Sequence, residues 1–332
     1  MAADMRAPGW SCRLPRLLLC AAAALMPVAG AAQAWPTKPV RFVAPFPPGG
    51  PVDLLARLIG QKVTEKSGQP VLVENRPGAA GNLGIELVAK AAPDGATLLH
   101  VPAGNITINA TLMRDMPFNW DRDFVAVTMI ATAPNLLAVH AGVPAKSLQE
   151  LIGLAKASPG RLTYGSPGVG SGLHLSGELF RREAGIDIAH VPYKGTTQAM
   201  NDLLGGQITM MFGALPVLMP QVKAGKLRAI AVTSKARSPH APEVPSIAES
   251  GVPGIDITSW YAIMAPAKTP PEIVAAVAEE VRRILALPEV RQTLDAQGLT
   301  PVGMRPADFA AHIRRETAAW ARVIRDANIK PE

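Results

Sequence analysis

Short apolar runs alternate with amphipathic stretches along most of the chain. Val40 to Ala44 (VRFVA) is a run rich in β-formers that ends in the turn-forming segment Pro45 to Pro51, PFPPGGP. Leu55, Leu58, Ile59 and Val63 then recur at helical spacing, with Lys62, Glu65 and Lys66 left for water and Gly68 as the stop. Val71 to Val73 reads as the next strand. A helix over about Asn82 to Ala92 leads through Pro93-Asp94-Gly95 into the strand Thr97 to Val101. Strand, helix, strand, helix, strand argues for a parallel sheet with right-handed crossovers.

The alternation returns further on. Leu162 to Tyr164 precedes a glycine-rich turn and a helix running through Arg182, and Ile188 to Val191 precedes another turn and helix. Ile208 to Phe212 and Leu227 to Val232 read as further strands. Pro270 and Pro271 open a helix whose buried stripe is Ile273, Val277, Val281 and Ile284. A last helix spans about Pro306 to Ala327, with Phe309, Ile313, Trp320 and Ile324 on one face. Two α/β units require the chain to pass between them, and Val127 to Asn135 and Ser259 to Ala265 are the candidate crossing segments. With both crossing, the C-terminal helices rejoin the first unit: domain 1 is 35–133 plus 260–332, and domain 2 is 134–259. The expected fold class is α/β, two domains with a ligand cleft between them.

The first 34 residues change the expected compartment. Arg6, Arg13 and Arg16 precede the apolar run Leu17 to Met26, followed by the small-residue site Ala32-Gln33-Ala34. That is the layout of a secretory signal peptide cleaved near Ala34-Trp35, which predicts a periplasmic protein. The apolar run falls short of the ~20 residues of a spanning helix. Cleavage removes Cys12 and Cys20, the only two cysteines. The mature chain then has no disulfide, thiolate metal site or cysteine nucleophile, and about 300 residues remain for its two domains. Cleavage also removes three arginines and one aspartate, so the whole-chain net charge of +7 becomes +5, which favours anionic ligands in a general way. No basic run or aromatic platform points to nucleic acid.

The candidate chemistry lies in loops that join strands to helices, where open α/β sheets bind their ligands. Pro45 to Asp53 (PFPPGGPVD) supplies Phe46, Pro48, Gly49, Gly50 and Asp53. Tyr164 to His174 (YGSPGVGSGLH) supplies Ser166, Gly168, Gly170, Ser171 and His174. Val191 to Thr197 supplies Tyr193, Gly195 and Thr196. Gly104 and Asn105, after the strand Thr97 to Val101, and Gly213, after Ile208 to Phe212, complete the set. Glycines there let backbone N–H groups approach a bound atom, and a helix N-terminus favours negative charge. Simpler roles stand beside these: Ser171 and Thr196 as helix caps, Asp53 as a first-turn acid on its own helix dipole. Enzyme signatures are missing. Gly165 to Gly172 is out of register for G-x-G-x-x-G, Val169 occupies the first glycine of a nucleophile elbow around Ser171, and the six histidines form no H-E-x-x-H. A serine-dependent esterase or amidase using Ser166 or Ser171 is the alternative from another class. No cofactor and no metal is expected.

At these loops the sequence resembles the Bug/TctC-like family, the extracytoplasmic solute receptors of tripartite tricarboxylate transporters. The stretches that carry the resemblance are PFPPGGPVD (45–53), VENRPGAAGNLGIELVAKAAPDG (73–95), PAKSLQEL (144–151) and YGSPGVGSGLHLSGELF (164–180). VPYKG (191–195), LLGGQI (203–208), VKAGKLRAIAVTS (222–234) and SWYAIMAPAKTP (259–270) follow in unbroken order. The resemblance implies two α/β domains of the periplasmic binding protein type, joined by crossing strands and closing on a ligand. It implies that backbone groups around Gly49, Gly50, Gly168 and Gly170 hold a carboxylate, partly through water, with Ser166, Ser171 and Asp53 in contact or loop-shaping roles. It implies a small organic carboxylate as ligand, membrane transporter subunits or a membrane sensor as partner, and a monomer. Gly213 stands where many relatives carry aspartate, which implies a preference for carboxylates without an α-amino group. Ala262 and Ala96 also depart from the usual pattern.

Overall fold

The computed structural model describes residues 35–113 and 115–326, together with Ile329 and residues 1, 2, 5 and 9. Nearly all of the expected signal segment, residues 1–34, lies outside the described residues, as does the expected end of the last helix at Ala327. The first half of the chain runs β1 (Val40–Ala44), α1 (Pro51–Ser67), β2 (Val71–Asn75), α2 (Asn82–Ala89), β3 (Thr97–Pro102), α3 (Ala103–Thr107), α4 (Asn109–Leu112), α5 (Trp120–Asp123) and β4 (Phe124–His140). Then come α6 (Leu148–Ala157), β5 (Thr163–Ser166), α7 (Gly172–Glu183), β6 (Ala189–Pro192), α8 (Thr196–Leu204), β7 (Met210–Ala214), α9 (Leu215–Lys223) and β8 (Leu227–Val232). The chain finishes with β9 (Thr258–Pro266), α10 (Pro271–Ala286), α11 (Pro288–Ala296), β10 (Thr300–Pro301) and α12 (Pro306–Asp326).

The helices start and stop where local chemistry dictates. Pro51 begins α1 at the position whose N–H has no partner anyway, and Gly68 ends it in the left-handed conformation at φ 72°, returning its N–H to the Thr64 carbonyl. Ser171 caps α7 by accepting the His174 N–H at 3.1 Å.

One strand organises the sheet. The first part of β4 pairs antiparallel with β9, from Phe124 opposite Pro266 to Pro134 opposite Thr258. Beyond that point its partners change: Asn135 to Val139 lie beside β7, and Leu136 to His140 beside β8. The sheet thus has two parts, β2-β1-β3-β9-β4 and β4-β7-β5-β6, with β10 and β8 also on β4. β1, β2 and β3 are mutually parallel, as are β5, β6 and β7. The antiparallel pairs are those made with the two crossing strands.

The apolar cores follow the same division. Phe42, Leu55, Ile59 and Leu98 pack with Ile130, Ile263, Val277 and Val281 around the first part of the sheet, while Leu137, Tyr164, Phe180, Phe212 and Ile230 form the core of the second. Each fully buried side chain of this size contributes about 1.5–3 kcal/mol. α12 belongs to both. Phe309 and Ile313 pack under Trp260 in the first part, whereas Trp320 and Val323 pack against the core of the second. Ile324 joins Ile108, Leu112 and Leu175 in a small cluster between α4 and α7. No helix among the described residues is long and apolar enough to cross a membrane.

Candidate functional site

A cavity of about 80 Å³ lies between the two parts of the structure. One water needs ~10–15 Å³ of such space, so the cavity suits a small organic molecule or a few waters. Its wall contains the first residues of α1 (Pro51 to Asp53), α7 (Gly172, Leu173) and α8 (Thr196, Thr197), and Ala214 just before α9. Three helices of nine residues or more therefore place first-turn residues in the wall of one cavity, and the residue preceding a fourth, α9, joins them. Each carries roughly half a positive charge and unmet backbone N–H groups. No lysine or arginine among the described residues lines the cavity. The arrangement suits an anion held by backbone dipoles rather than by a basic side chain.

Of the residues expected from sequence, Phe46, Gly50, Asp53, Gly104, Asn105, Ser171 and Thr196 reach the wall. Asp53 is 5% exposed and shapes the loop: its Oδ2 accepts the Gly49 N–H at 3.1 Å and the Arg57 Nε at 3.0 Å, with Arg57 Nη2 2.9 Å from Oδ1. Burial pushes its pKa up, but the hydrogen bonds from Arg57 and Gly49 outweigh that and hold the carboxyl below the usual range. The Gly49 N–H is therefore already committed to Asp53. Asn105 likewise holds its neighbourhood, donating Nδ2 to the Ala80 carbonyl at 2.8 Å.

Three of the expected glycines stand where the two parts touch. A Cβ on Gly104 would lie 2.6 Å from the Gly172 N, one on Gly170 2.1 Å from Asn109 Oδ1, and one on Gly195 2.9 Å from Pro47 Cδ. Gly168 faces Ala80 more loosely, at 3.7 Å. A larger residue at Gly104 would press on backbone and push the loops apart, whereas at Gly170 it would displace the Asn109 side chain and at Gly195 the Pro47 ring. Gly170, Gly195 and Gly168 do not line the cavity themselves, nor do Pro48 and Gly49.

Ser166 and His174 sit one layer beneath the glycine-rich loop. Ser166 is fully buried, accepts the Gly168 N–H at 3.2 Å and lies 2.7 Å from His190 Nε2. His190 stacks between the Tyr164 and His174 rings at 4.8 and 4.3 Å. His174 Nδ1 in turn accepts the Gly170 N–H at 3.3 Å. The serine–histidine spacing is one a hydrolase would use, yet Ser166 does not line this cavity. Ser171 reaches the wall while capping α7 and donating Oγ to the Gly168 carbonyl at 2.8 Å. Tyr193 turns away, donating its hydroxyl to Asp202 at 2.8 Å; burial and that carboxylate push its pKa up to about 12. Tyr164 is likewise in the core, and of the three tyrosines Tyr261 lines the cavity.

Gly213 requires a correction. It lies within β7, and a Cβ there would meet Leu218 at 2.7 Å, on the core side of the strand. Successive residues of a strand face opposite ways, so its neighbour Ala214 is the one that reaches the cavity. The expectation that residue 213 selects against an ammonium group falls with that geometry.

Several wall residues were not expected at the site from sequence. Ile108, Ile257, Glu316 and Trp320 arrive from short or distant elements. Glu316 accepts Trp260 Nε1 at 2.6 Å, Trp320 Nε1 at 3.2 Å and Thr107 Oγ1 at 3.4 Å, and its Oε2 lies 2.8 Å from His312 Nε2. It ties α12 to β9 and α3 where the chain crosses. The spacing of Glu316 and Trp320, one turn apart on an amphipathic helix, was the only hint that the pair acts together.

With the fold and cavity defined, comparison with known proteins is decisive. The sequence model of the tripartite tricarboxylate transporter family receptor matches residues 55–329. The chain belongs to this family. It is 36% identical to protein BugT of Bordetella pertussis over 300 residues, 90% of this chain and 92% of that one. Among solved structures it is similar to Rpa4515 of R. palustris with adipate (TM-score 0.87, 38% identity, 90% of this chain and 100% of that one). It is similar also to MatC of Rhodopseudomonas palustris with bound malate (TM-score 0.83, 32% identity, 87% and 99%). The periplasmic binding protein BugD gives a TM-score of 0.84 at 30% identity, over 90% and 100%. The α/β fold is that of periplasmic binding proteins, and the family is one of solute receptors rather than enzymes. The serine-hydrolase alternative is set aside on that ground.

Proposed function

We propose that this receptor captures a small organic carboxylate in the cavity between its two parts and delivers it to membrane subunits of a tripartite tricarboxylate-type transporter. The observation that carries the reading is the cavity whose wall holds the first residues of α1, α7 and α8 and the residue before α9, without a basic side chain among the described residues that line it. The adipate and malate held by two of its structural relatives support a ligand of that class. On this reading the chain has two domains, 35–133 plus 260–332 and 134–259, and β4 and β9 act as the hinge. The protein is a monomer exported by a signal segment that is then cleaved near Ala34-Trp35. Trp35 supports that boundary, because its indole Nε1 already donates to the Gly95 carbonyl at 2.9 Å as part of the folded body.

The test is native mass spectrometry of the secreted protein for co-purified acids, with N-terminal sequencing of the same sample. Calorimetry against adipate, malate and their dimethyl esters completes it. The acids should bind, and the esters at least about tenfold more weakly, since a charge-assisted hydrogen bond contributes about 1.5–3 kcal/mol. Equal binding of acid and ester refutes the anion site.

A further inference from the structure

The crossing strands also contribute to the cavity wall, and behind them lies a polar group with an unmet need. Asn135, on β4, is fully buried. Its Oδ1 accepts the Ser259 hydroxyl at 2.7 Å, and its backbone carbonyl accepts the Thr233 N–H at 2.9 Å. Its Nδ2 has no hydrogen-bond partner among the described residues. A buried donor without an acceptor costs about 1–3 kcal/mol, and native proteins seldom leave one unanswered.

The position says where the missing acceptor comes from. Asn135 is paired with Ala214 across the sheet and bonded to Ser259, and both of those residues line the cavity. On the adjacent strand pair, Pro134 faces Thr258, another wall residue. Asn135 itself stands just behind the lining, so its amide faces the back of the wall formed by Ala214, Thr258 and Ser259. Ser259 directs its proton at Asn135, so at this point the amide N–H is the donor available to a guest.

Building on the carboxylate reading of the cavity, we infer that Asn135, oriented by Ser259, is a ligand-binding residue. Its amide takes an oxygen of the ligand, directly or through one water carried in with it. The ligand class narrows accordingly: an acid with a second oxygen acceptor, apart from the carboxylate held at the helix N-termini. A diacid is preferred over the monoacid of equal length.

Adipate and hexanoate differ only in that second carboxylate and serve as probes by calorimetry. Wild type should bind adipate at least about tenfold more tightly, and Asn135→Leu, of similar volume, should bring the two within about threefold by weakening adipate alone. Ser259→Ala, on the cavity wall, covers the case in which the buried substitution does not fold; freeing the amide to turn should lower the same ratio. An adipate-to-hexanoate ratio near one in wild type, or a ratio unchanged in the variants, overturns the assignment and leaves the carboxylate reading intact. Binding of neither acid, with malate and co-purified acids also absent, overturns both.

Discussion

Gly104→Ala separates closure of the cleft from stability of the fold. Gly104 lies in α3, and a methyl there would stand 2.6 Å from the Gly172 N, 3.2 Å from the Ser171 carbonyl carbon and 3.3 Å from the Gly170 oxygen. All three are backbone atoms across the cleft, so no side chain can swing away. Restoring ordinary contact at 3.4 Å or more requires the loops to withdraw by about 0.8 Å, or to accept strain of about 1–3 kcal/mol. If the two parts close on a ligand as proposed, the closed state alone bears that cost. Affinity for a carboxylate ligand should therefore fall about 5- to 150-fold. The ligand-free melting temperature should hold or rise slightly, because alanine is the better helix former.

Gly177→Ala is the matched control. Its methyl would fall 2.1 Å from Tyr164 Cε2, inside the core of one part, where the ring is fully buried and hydrogen-bonded to Glu178. That variant should melt lower with or without ligand. Calorimetry and thermal denaturation distinguish the two, and solution scattering should show Gly104→Ala failing to compact with ligand. Wild-type affinity and compaction in Gly104→Ala would refute the claim that the seam is tight.

Other expectations follow from single contacts. Asp53→Ala removes the acceptor of the Gly49 N–H and should weaken ligand binding about tenfold, whereas Asp53→Asn keeps an acceptor and should cost less than about threefold, as titration calorimetry can show. Ser171→Ala removes the α7 cap and should lower unfolding free energy by about 1 kcal/mol in urea denaturation. His100 is buried with neither ring nitrogen hydrogen-bonded among the described residues, and burial holds its pKa at about 3 against an ordinary 6.5. The unfolded chain takes up that proton first, so the stability is full above pH 6.5 and is lost as pH falls toward 3. At pH 5 the loss is about 2 kcal/mol, and His100→Leu should flatten the acid limb of the stability curve by that amount.

The legibility of this chain divides by physical cause. β1 and β8 stand at their expected bounds because short apolar runs between turn residues admit one reading. β4 was visible only as a crossing segment, Val127 to Asn135. Its full length to His140 depends on two successive sets of partners, and no local periodicity encodes a change of partner. The short helices α3 and α4 were missed for a related reason, since each is held by neighbours rather than by a stripe of its own. The strand-to-helix loops were found because glycine and proline mark them. Their glycines had two explanations, ligand approach and loop-to-loop approach; Gly170 and Gly195 fit the second, and Gly104, which also lines the cavity, fits both. The error at Gly213 was one of parity: a shift of one residue exchanges cavity for core.

A site built from backbone dipoles should respond to pH differently from one built on basic side chains. The wall holds three ionisable side chains, Asp53, Tyr261 and Glu316, and no histidine, lysine or arginine among the described residues. Asp53 is held below the usual carboxylate range by Arg57 and Gly49, and burial pushes the Tyr261 phenol up. Glu316 is engaged by Trp260, Trp320 and Thr107 before any ligand arrives. His174 and His190 lie beneath the glycine-rich loop, and His312 lies on the far side of Glu316. Peptide N–H groups do not titrate, so affinity for a diacid such as adipate should vary by less than about threefold from pH 6.5 to 9. Below about pH 5 it should fall as the ligand carboxylates, with ordinary pKa values near 4, take up protons and lose their charge. Calorimetry across that range decides the matter. A tenfold rise in affinity as pH drops from 7.5 to 6 would mean that a protonated histidine holds the anion, and the helix N-termini would lose their assigned role.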